Sequence, residues 1–395
     1  MTLFVRRSII ILLIISILFL PGCWDREELN TLAIITAIGI DILPNNDVEI
    51  SVQEIIPQSN IENGGNGTGG KKTLVQSGVG KTIFDAKQDL QEKLGRSLFW
   101  GHAEVIIFGK RLAEKGIQEE IDFLSRFPEI RMRAKLYVID DPKKVLEASP
   151  ITENYSVRPL DASTRLGTQA MIDLNRTIQM LVGKSGAFFL PWLKISETSQ
   201  IPYIEGGAVF KQDRLIEQIS GREFRALLWI NDKLEAAVLS VPLQNKEVGV
   251  KIYGSKTKLK PQIKNGKWRM LVEIKGEDDI YLNETGIGKD PEFTKVAGKA
   301  VEKEIQKQLI QTVSKLQKKN VDAFGFADAF HQTYPHEWHR VDWKDIFPRL
   351  EVVIKPQIKL RRTGMTDEPV GIPTESKKKV KGRHFFCYDL QSITC

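Results

Sequence analysis

The residue with the clearest capacity for chemistry is Cys23. It follows Leu20-Pro21-Gly22, so an aliphatic residue stands three positions before the cysteine and a small residue directly before it. A cysteine thiol can accept a diacylglyceryl group, and the small Gly22 lets a peptidase cleave between Gly22 and Cys23. The freed amino group of Cys23 can then carry an N-acyl chain. Because two acyl chains anchor a protein firmly where one gives only marginal attachment, Cys23 is the predicted lipidation site.

The residues before Cys23 have the pattern of a secretion signal. Arg6-Arg7 precede residues 8–20, which are apolar except for two serines. About 20 apolar residues are needed to cross a bilayer, so this stretch is shorter than a typical membrane span. An uncleaved membrane anchor is the alternative, but the run at 20–23 resembles the bacterial lipobox and favours cleavage. We therefore predict a lipoprotein signal peptide at 1–22 and a mature chain outside the cytoplasm.

Two glycine-rich runs could suggest phosphate or dinucleotide binding. The first run resembles the end of a P-loop and is Gly78-Val79-Gly80-Lys81-Thr82. The full P-loop pattern needs a glycine five positions before Gly80, but Val75 stands there. The pattern G-x-G-x-x-G fits residues 65–70, but this run follows no apolar strand and opens no helix. We interpret the first run as a strand–turn–helix junction and the second as a flexible loop.

The histidines and acidic pairs give no recognised catalytic or metal-binding motif. The run His336-Glu337-Trp338-His339 spaces its histidines by three positions, whereas zinc proteases need four. His331 adds a third imidazole nearby, and a structural role is preferred for all three. A glycosidase pair of carboxylates remains open, because its members can lie far apart in the chain. We predict a protein that is not an enzyme, with no metal and no cofactor.

Length and composition fit a folded chain of two or three domains. The 395 residues are 42% apolar and 27% charged, which excludes a wholly disordered chain, a fibre and a polytopic membrane protein. Three cysteines are too few for a disulfide scaffold. The net charge of +7 includes Arg6 and Arg7, so the mature chain has 55 basic and 50 acidic side chains. Since this surplus is small and dispersed, we expect no nucleic-acid partner.

The first predicted domain is a mixed α/β domain at 23–198. Apolar runs at 32–40 and 48–56 flank a turn and predict a β-hairpin. A strand at 103–108, a helix at 111–126 and a strand at 134–139 then follow one another closely. Strand, helix and strand in this order favour a parallel βαβ unit.

Two further domains and a tail are predicted. A small middle α/β domain spans 199–255, and a C-terminal α/β domain spans 256–364 with a long helix at 291–319. The helix begins at Asp290-Pro291, an N-cap followed by the residue favoured in the first turn. A disordered tail at 365–395 contains Cys387 and Cys395. The predicted fold class is α+β, with three mixed α/β domains whose later parts are mainly antiparallel strands plus one long helix.

The start of the mature chain, Cys23-Trp24-Asp25, resembles the C-subunit family of bacterial spore germinant receptors. Further blocks are similar to the same family in order and spacing, from Cys23 to about Gly364. These blocks are Gly101 to Gly109 with the helix through Phe127-Pro128-Glu129, Gly206 to Lys211, and Phe324 to Phe330 followed by Pro335, Trp338, Trp343 and Phe347-Pro348. The tail at 365–395 lies outside the resemblance.

The resemblance implies a non-catalytic lipoprotein on the outer face of the inner spore membrane or cell membrane. It implies three mixed α/β domains and two integral membrane partners, the A-type and B-type subunits of a receptor that responds to nutrients. Of the family's features, only lipidation at Cys23 carries over as a functional site. A substrate-binding lipoprotein of a transporter is the alternative, since it would use the same signal and anchor, and a cell-wall hydrolase is a more distant one.

Overall fold

The structure, a computed structural model, describes residues 31–56, 72–148, 172–234, 236–243, 246–283 and 291–362. Within these residues, two β-sheets carry helices packed against them. The predicted mixed α/β class is therefore confirmed. No helix in the described ranges is long and apolar enough to cross a membrane.

The first sheet contains nine strands in the order β3-β2-β1-β5-β6-β7-β8-β9, with β4 beside β1. Its centre, from β1 to β7, is parallel, and its two sides are antiparallel. The predicted hairpin is confirmed as β1 and β2. The strands are β1 (Leu32–Ile42), β2 (Val48–Ile56), β3 (Lys72–Gly80), β4 (Ser97–Phe99), β5 (Val105–Gly109), β6 (Lys135–Ile139), β7 (Ala187–Ile195), β8 (Pro202–Lys211) and β9 (Arg214–Ser220).

Short helices connect the strands of the first sheet. They are α1 (Ile83–Lys93), α2 (Lys110–Lys115), α3 (Gln118–Arg126), α4 (Pro142–Glu147) and α5 (Leu174–Leu181). A further helix, α6 (Gly221–Ile230), follows β9 and leads to the second sheet. The predicted βαβ unit is confirmed, because β5 and β6 are parallel. Its single predicted helix at 111–126 is instead two helices. The break falls at Gly116, whose φ of 131° is not helical, and the N–H of Ile117 bonds to the carbonyl of Asp213.

The second sheet contains β10 (Ala236–Leu243), β11 (Lys246–Lys264), β12 (Lys267–Asn283) and β13 (Glu351–Arg362) in that order. The first three strands are antiparallel, as predicted for this part of the chain, whereas β13 runs parallel to β12. A parallel pair needs a long connection, which here contains the remaining helices.

The long helix α7 (Pro291–Lys318) packs on one face of the second sheet. Its predicted apolar stripe is buried, and this stripe consists of Val301, Ile305, Leu309, Val313 and Leu316. Three short helices follow before β13, namely α8 (Phe326–Thr333), α9 (Pro335–Trp338) and α10 (Trp343–Ile346). The predicted long helix at 291–319 is thus confirmed to within one residue.

Neither predicted domain boundary coincides with the end of a sheet. The boundary after residue 198 falls between β7 and β8, which are neighbouring strands of the first sheet. The boundary after residue 255 falls inside β11. The division into three domains therefore stays a prediction, while the β-structure itself forms two sheets.

Candidate functional site at the junction of the two sheets

The lipidation and cleavage residues predicted from the sequence, Cys23 and Gly22, precede the described residues, which begin at Thr31. The tail with Cys387 and Cys395 also lies outside the described ranges. These predictions stay predictions. The structure does show the other family-like blocks, and the third of them lies where the two sheets join.

The third family-like block is organised around the buried carboxylate of Asp322. Its Oδ1 accepts hydrogen bonds from the backbone N–H of Phe324 (3.2 Å) and Phe326 (3.3 Å). Its Oδ2 accepts bonds from the N–H of Ala327 (2.7 Å) and the indole Nε1 of Trp343 (3.2 Å). Burial raises the pKa of Asp322 to about 6, although the backbone hydrogen bonds lower it. Asp322 thus fixes the start of α8 to the start of α10.

An aromatic cluster includes Trp343, which bonds to this carboxylate, and reaches the tip of the β11–β12 hairpin. Trp268, next to the hairpin turn, lies 4.8 Å from Phe330 between ring centroids. Phe330 lies 5.6 Å from Trp343, which lies 5.4 Å from Trp338 and 5.9 Å from Phe347. Aromatic pairs at these distances add to the stability that area burial alone provides. The cluster therefore holds the hairpin tip against α8 and α10.

The predicted histidines belong to the edge of the same cluster. The ring of His331 packs edge-on against Trp338 at 5.7 Å and lies 6.4 Å from the ring of His339. This packing agrees with the structural role preferred from the sequence. Among the described residues, no group of three or more His, Cys, Asp or Glu side chains is placed to hold a metal ion.

Ion pairs join the long helix α7 to the edge of the first sheet. The Nζ of Lys315 lies 3.1 Å from Glu217 on β9 and 2.9 Å from Glu223 on α6, and the Nζ of Lys319 lies 2.7 Å from Glu217. Burial alone would raise the pKa of Glu217, but hydrogen bonds from the two lysines lower it overall. These partly exposed groups link the end of α7 to β9 and α6.

Polar contacts to the backbone complete the junction. Asn231 donates from Nδ2 to the carbonyl oxygens of Leu227 (3.0 Å) and Ala323 (3.1 Å). Thr257 on β11 donates from Oγ1 to the carbonyl of Trp229 at 2.6 Å. The Oδ1 of Asp328 accepts a bond from the N–H of Lys184 at 3.0 Å. Except for the local bond from Asn231 to Leu227, these bonds link segments far apart in sequence, so the junction holds the two sheets in a fixed relation.

A cleft of about 480 Å³ opens between these contacts, a size typical of small-molecule sites. Arg176, Asn231, Asp328 and Gln332 are among its lining residues. Asn231 and Asp328 already bond to backbone atoms across the junction. The arrangement is therefore suited to holding the sheets together more than to acid–base chemistry.

The first family-like block ends at Gly109, where the chain makes room for a second buried carboxylate. A Cβ at Gly109 would lie 2.0 Å from the Cγ of Asp41. The Oδ1 of Asp41 accepts a bond from the N–H of Leu112 at 3.2 Å, and its Oδ2 pairs with Arg111 at 2.9 Å. Asp41 thus caps α2, and the glycine is required by close packing.

The second family-like block lies on β8, and close packing also explains its two glycines. A Cβ at Gly206 would lie 2.0 Å from the carbonyl oxygen of Ile219, and one at Gly207 would lie 2.4 Å from the ring of Phe224. The glycines let β9 and α6 approach β8 closely.

The sequence analysis did not predict roles for Asp41 and Asp322. The signal that could have identified each of them was a single Asp within an otherwise apolar stretch.

The fold and the junction define a mixed α/β protein with two sheets, in which the family-like blocks serve packing. Residues 25–195 match the family model for the spore germination protein N-terminal domain, and residues 205–364 match the model "Spore germination B3/ GerAC like, C-terminal". The chain belongs to this family, the C subunits of spore germinant receptors.

Individual relatives agree with this assignment. Spore germination protein KC of Bacillus subtilis (strain 168) is 28% identical over 400 residues, which cover 93% of this chain and 98% of that protein. Spore germination protein GerQC of Bacillus cereus is 22% identical over 373 residues, covering 91% of this chain and 99% of that protein. The comparisons give no support to the transporter alternative.

A solved structure confirms the fold. The crystal structure of the GerBC protein superposes with a TM-score of 0.56 at 19% identity, covering 84% of this chain and 99% of that chain. This likeness concerns the arrangement of the backbone. It agrees with a fold in which the described residues form two sheets.

Proposed function

We propose that this chain is the lipid-anchored C subunit of a nutrient-responsive germinant receptor and that it works without catalysing a reaction. The observation that carries the proposal is the pair of family matches, which together extend from residue 25 to residue 364. The blocks that resemble the family serve packing at the sheets and their junction. Such a molecule is suited to act as a scaffold that supports other subunits.

The anchor in this proposal is Cys23, lipidated after cleavage behind Gly22. Cys23 lies eight positions before Thr31, the first described residue. Eight residues reach at most about 28 Å even when fully extended. The first sheet would then lie close to the outer face of the inner spore membrane or cell membrane.

The partners in this proposal are two integral membrane subunits of A and B type. A lipid anchor restricts the folded chain to the plane of the membrane and raises its effective concentration near such partners. Modest contacts between the folded chain and the exposed loops of the partners then suffice for assembly. Nutrient recognition is assigned to the assembled receptor.

The anchor is tested with Cys23→Ala in spores that otherwise lack the protein. We expect loss of lipidation, loss of retention in the membrane fraction and a lower rate of germination in nutrient. The double variant Cys387→Ala/Cys395→Ala is the matched control, and it should keep all three properties. Normal membrane retention together with normal germination of the Cys23→Ala spores would refute the anchoring claim.

A further inference from the structure

The second sheet has one face covered by helix and one face open. Met270, Val272 and Ile274 of β12 point to the covered side and are buried, as are Ile354 and Ile358 of β13. Side chains alternate along a strand, so the intervening residues of the paired strands point to the other side. From Lys256 to Glu277 around the hairpin, and from Glu351 to Lys359 on β13, the charged positions on that side are Lys256, Lys258, Lys260, Lys264, Lys267, Arg269, Glu273, Lys275, Glu277, Glu351, Lys355 and Lys359, here called the lysine face.

The lysine face concentrates charge that the sequence alone presented as dispersed. It carries nine cationic side chains, eight of them lysines, and three carboxylates. The surplus of six is close to the +7 of the entire sequence. All nine cationic residues are exposed. The net charge of this protein is therefore largely a property of one surface.

Several of these charges are placed where they oppose folding. In the register of β11 and β12, Lys256 lies directly opposite Lys275, and Lys264 lies directly opposite Lys267. Like charges in such cross-strand pairs are destabilising. Lys260 pairs with Glu273 at 2.7 Å and Arg269 with Glu351 at 2.8 Å. Lys256 pairs with Asp232 at 3.3 Å, so these three pairs use three of the nine cations. A surface that is unfavourable for the fold itself points to an anionic binding partner.

The chemistry of the cations distinguishes between kinds of anionic partner. Protein–protein interfaces are enriched in Arg and aromatic residues and depleted in Lys. Arginine also provides the bidentate geometry that recognises individual carboxylates, whereas lysine acts as a flexible point charge. Eight lysines spread over a broad sheet suit a diffuse negative surface, such as the lipid headgroups of a bilayer.

We propose that the lysine face binds the anionic surface of a phospholipid bilayer. The contact is electrostatic, with the lysine stems lying over Leu271 and Val353 and the ammonium groups reaching lipid phosphates. It goes beyond the lipid anchor and does not depend on it. The face would orient the second sheet against the membrane, while α7 on the covered side would face away.

The test uses the whole mature chain, 23–395, made without its leader and with Cys23→Ser so that no lipid is attached. Sedimentation measures its binding to vesicles of phosphatidylcholine alone and to vesicles that also contain phosphatidylglycerol. We expect binding only to the anionic vesicles. This binding should disappear in about 1 M salt, where the screening length falls to about 3 Å.

A triple variant identifies the surface. Lys258→Gln, Lys275→Gln and Lys355→Gln remove three exposed charges from the lysine face and should weaken binding about a hundredfold. The matched control is Lys303→Gln, Lys307→Gln and Lys318→Gln on exposed positions of α7, which removes the same charge and should change binding less than about threefold. Melting curves for each variant confirm that the fold is kept.

Three outcomes would overturn the proposal. The first is no binding of the wild-type chain to anionic vesicles, and the second is equal weakening by the two triple variants. The third is loss of binding only when Lys377, Lys378 and Lys379 of the tail are replaced by Gln. Because the assay contains neither the anchor nor partner subunits, its failure leaves the receptor assignment untouched.

Discussion

The indole Nε1 of Trp343 donates a hydrogen bond of 3.2 Å to the Oδ2 of Asp322 in the interior of the protein. The two residues are 21 positions apart, and they stand at the beginning of α10 and just before α8. The same carboxylate accepts three backbone N–H bonds at the start of α8. One side chain therefore organises the helical block that connects α7 to β13.

Replacing Asp322 by Asn should destabilise the protein strongly. All four groups that bond to this carboxylate are donors, so the new amide would place its own N–H group against two of them. We expect a loss of about 3 kcal/mol in the free energy of unfolding, measured with urea. The exposed Asp345→Asn on α10 is the control and should change stability by less than about 0.5 kcal/mol. Equal effects of the two substitutions would contradict this role of Asp322.

The stability of the protein should depend on the ionisation of Glu120. This carboxyl is buried near the start of α3 and its Oε2 has no hydrogen-bond partner, and burial raises its pKa from 4.5 to about 7. A carboxyl with a raised pKa holds its proton more tightly in the folded chain than in the unfolded one. Its contribution is therefore favourable at low pH and is lost as the pH rises from 4.5 through about 7.

The variant Glu120→Gln isolates this effect. Relative to the wild-type protein, the variant should gain up to about 3 kcal/mol in the free energy of unfolding between about pH 4 and pH 8. Urea titrations at both pH values measure the difference. The exposed Glu114→Gln on α2 is the control and should change stability by less than about 0.5 kcal/mol at both pH values. A difference between Glu120→Gln and wild type that does not change with pH would show that Glu120 titrates normally.

Gly109 should tolerate no side chain, in contrast to Gly95. A Cβ at Gly109 would overlap the carboxylate of Asp41, whereas a Cβ at Gly95 would meet no atom within 4 Å. We expect Gly109→Ala to lower the midpoint of thermal unfolding, corresponding to about 2 kcal/mol, because overpacking shifts Asp41 from its place at α2. Gly95→Ala should leave the midpoint nearly unchanged. If both variants melt like the wild type, close packing against Asp41 does not require a glycine at position 109.

The ion pairs at the junction should be coupled more strongly than those on the open surface. Lys315 and Glu217 are about one-third and one-fifth exposed, whereas Arg126 and Asp122 are mostly exposed. Double-mutant cycles with Ala should give a coupling of about 1 kcal/mol for the first pair and at most about 0.5 kcal/mol for the second. A coupling near zero for Lys315 and Glu217 would mean that these charges do not hold the sheets together.

The local pattern of the chain was enough to predict several elements. The stripe from Val301 to Leu316 repeats every three to four residues, and it forms the buried side of α7 as expected. The hairpin of β1 and β2 was also predicted, because a short turn joins two apolar runs. The parallel pair of β5 and β6 was predicted because a helical pattern lies between two apolar runs.

Relations between distant residues were not accessible in the same way. The pairing of β13 with β12 joins residues more than 80 positions apart, and Asp41 meets Arg111 across 70 positions. No local period encodes such a partner. The lysine face was missed for the same reason, since its charges come from three strands and only the register places them side by side.

The central claim, that this chain is a receptor subunit, is tested most directly by isolating it with its neighbours. The tagged full-length protein is purified from detergent-solubilised spore membranes, and the proteins that come with it are identified by mass spectrometry. The account predicts recovery of two polytopic membrane subunits, and their absence from a parallel purification of the Cys23→Ala variant. Recovery of a transporter permease and its ATPase, or of no partner even after cross-linking, would contradict it.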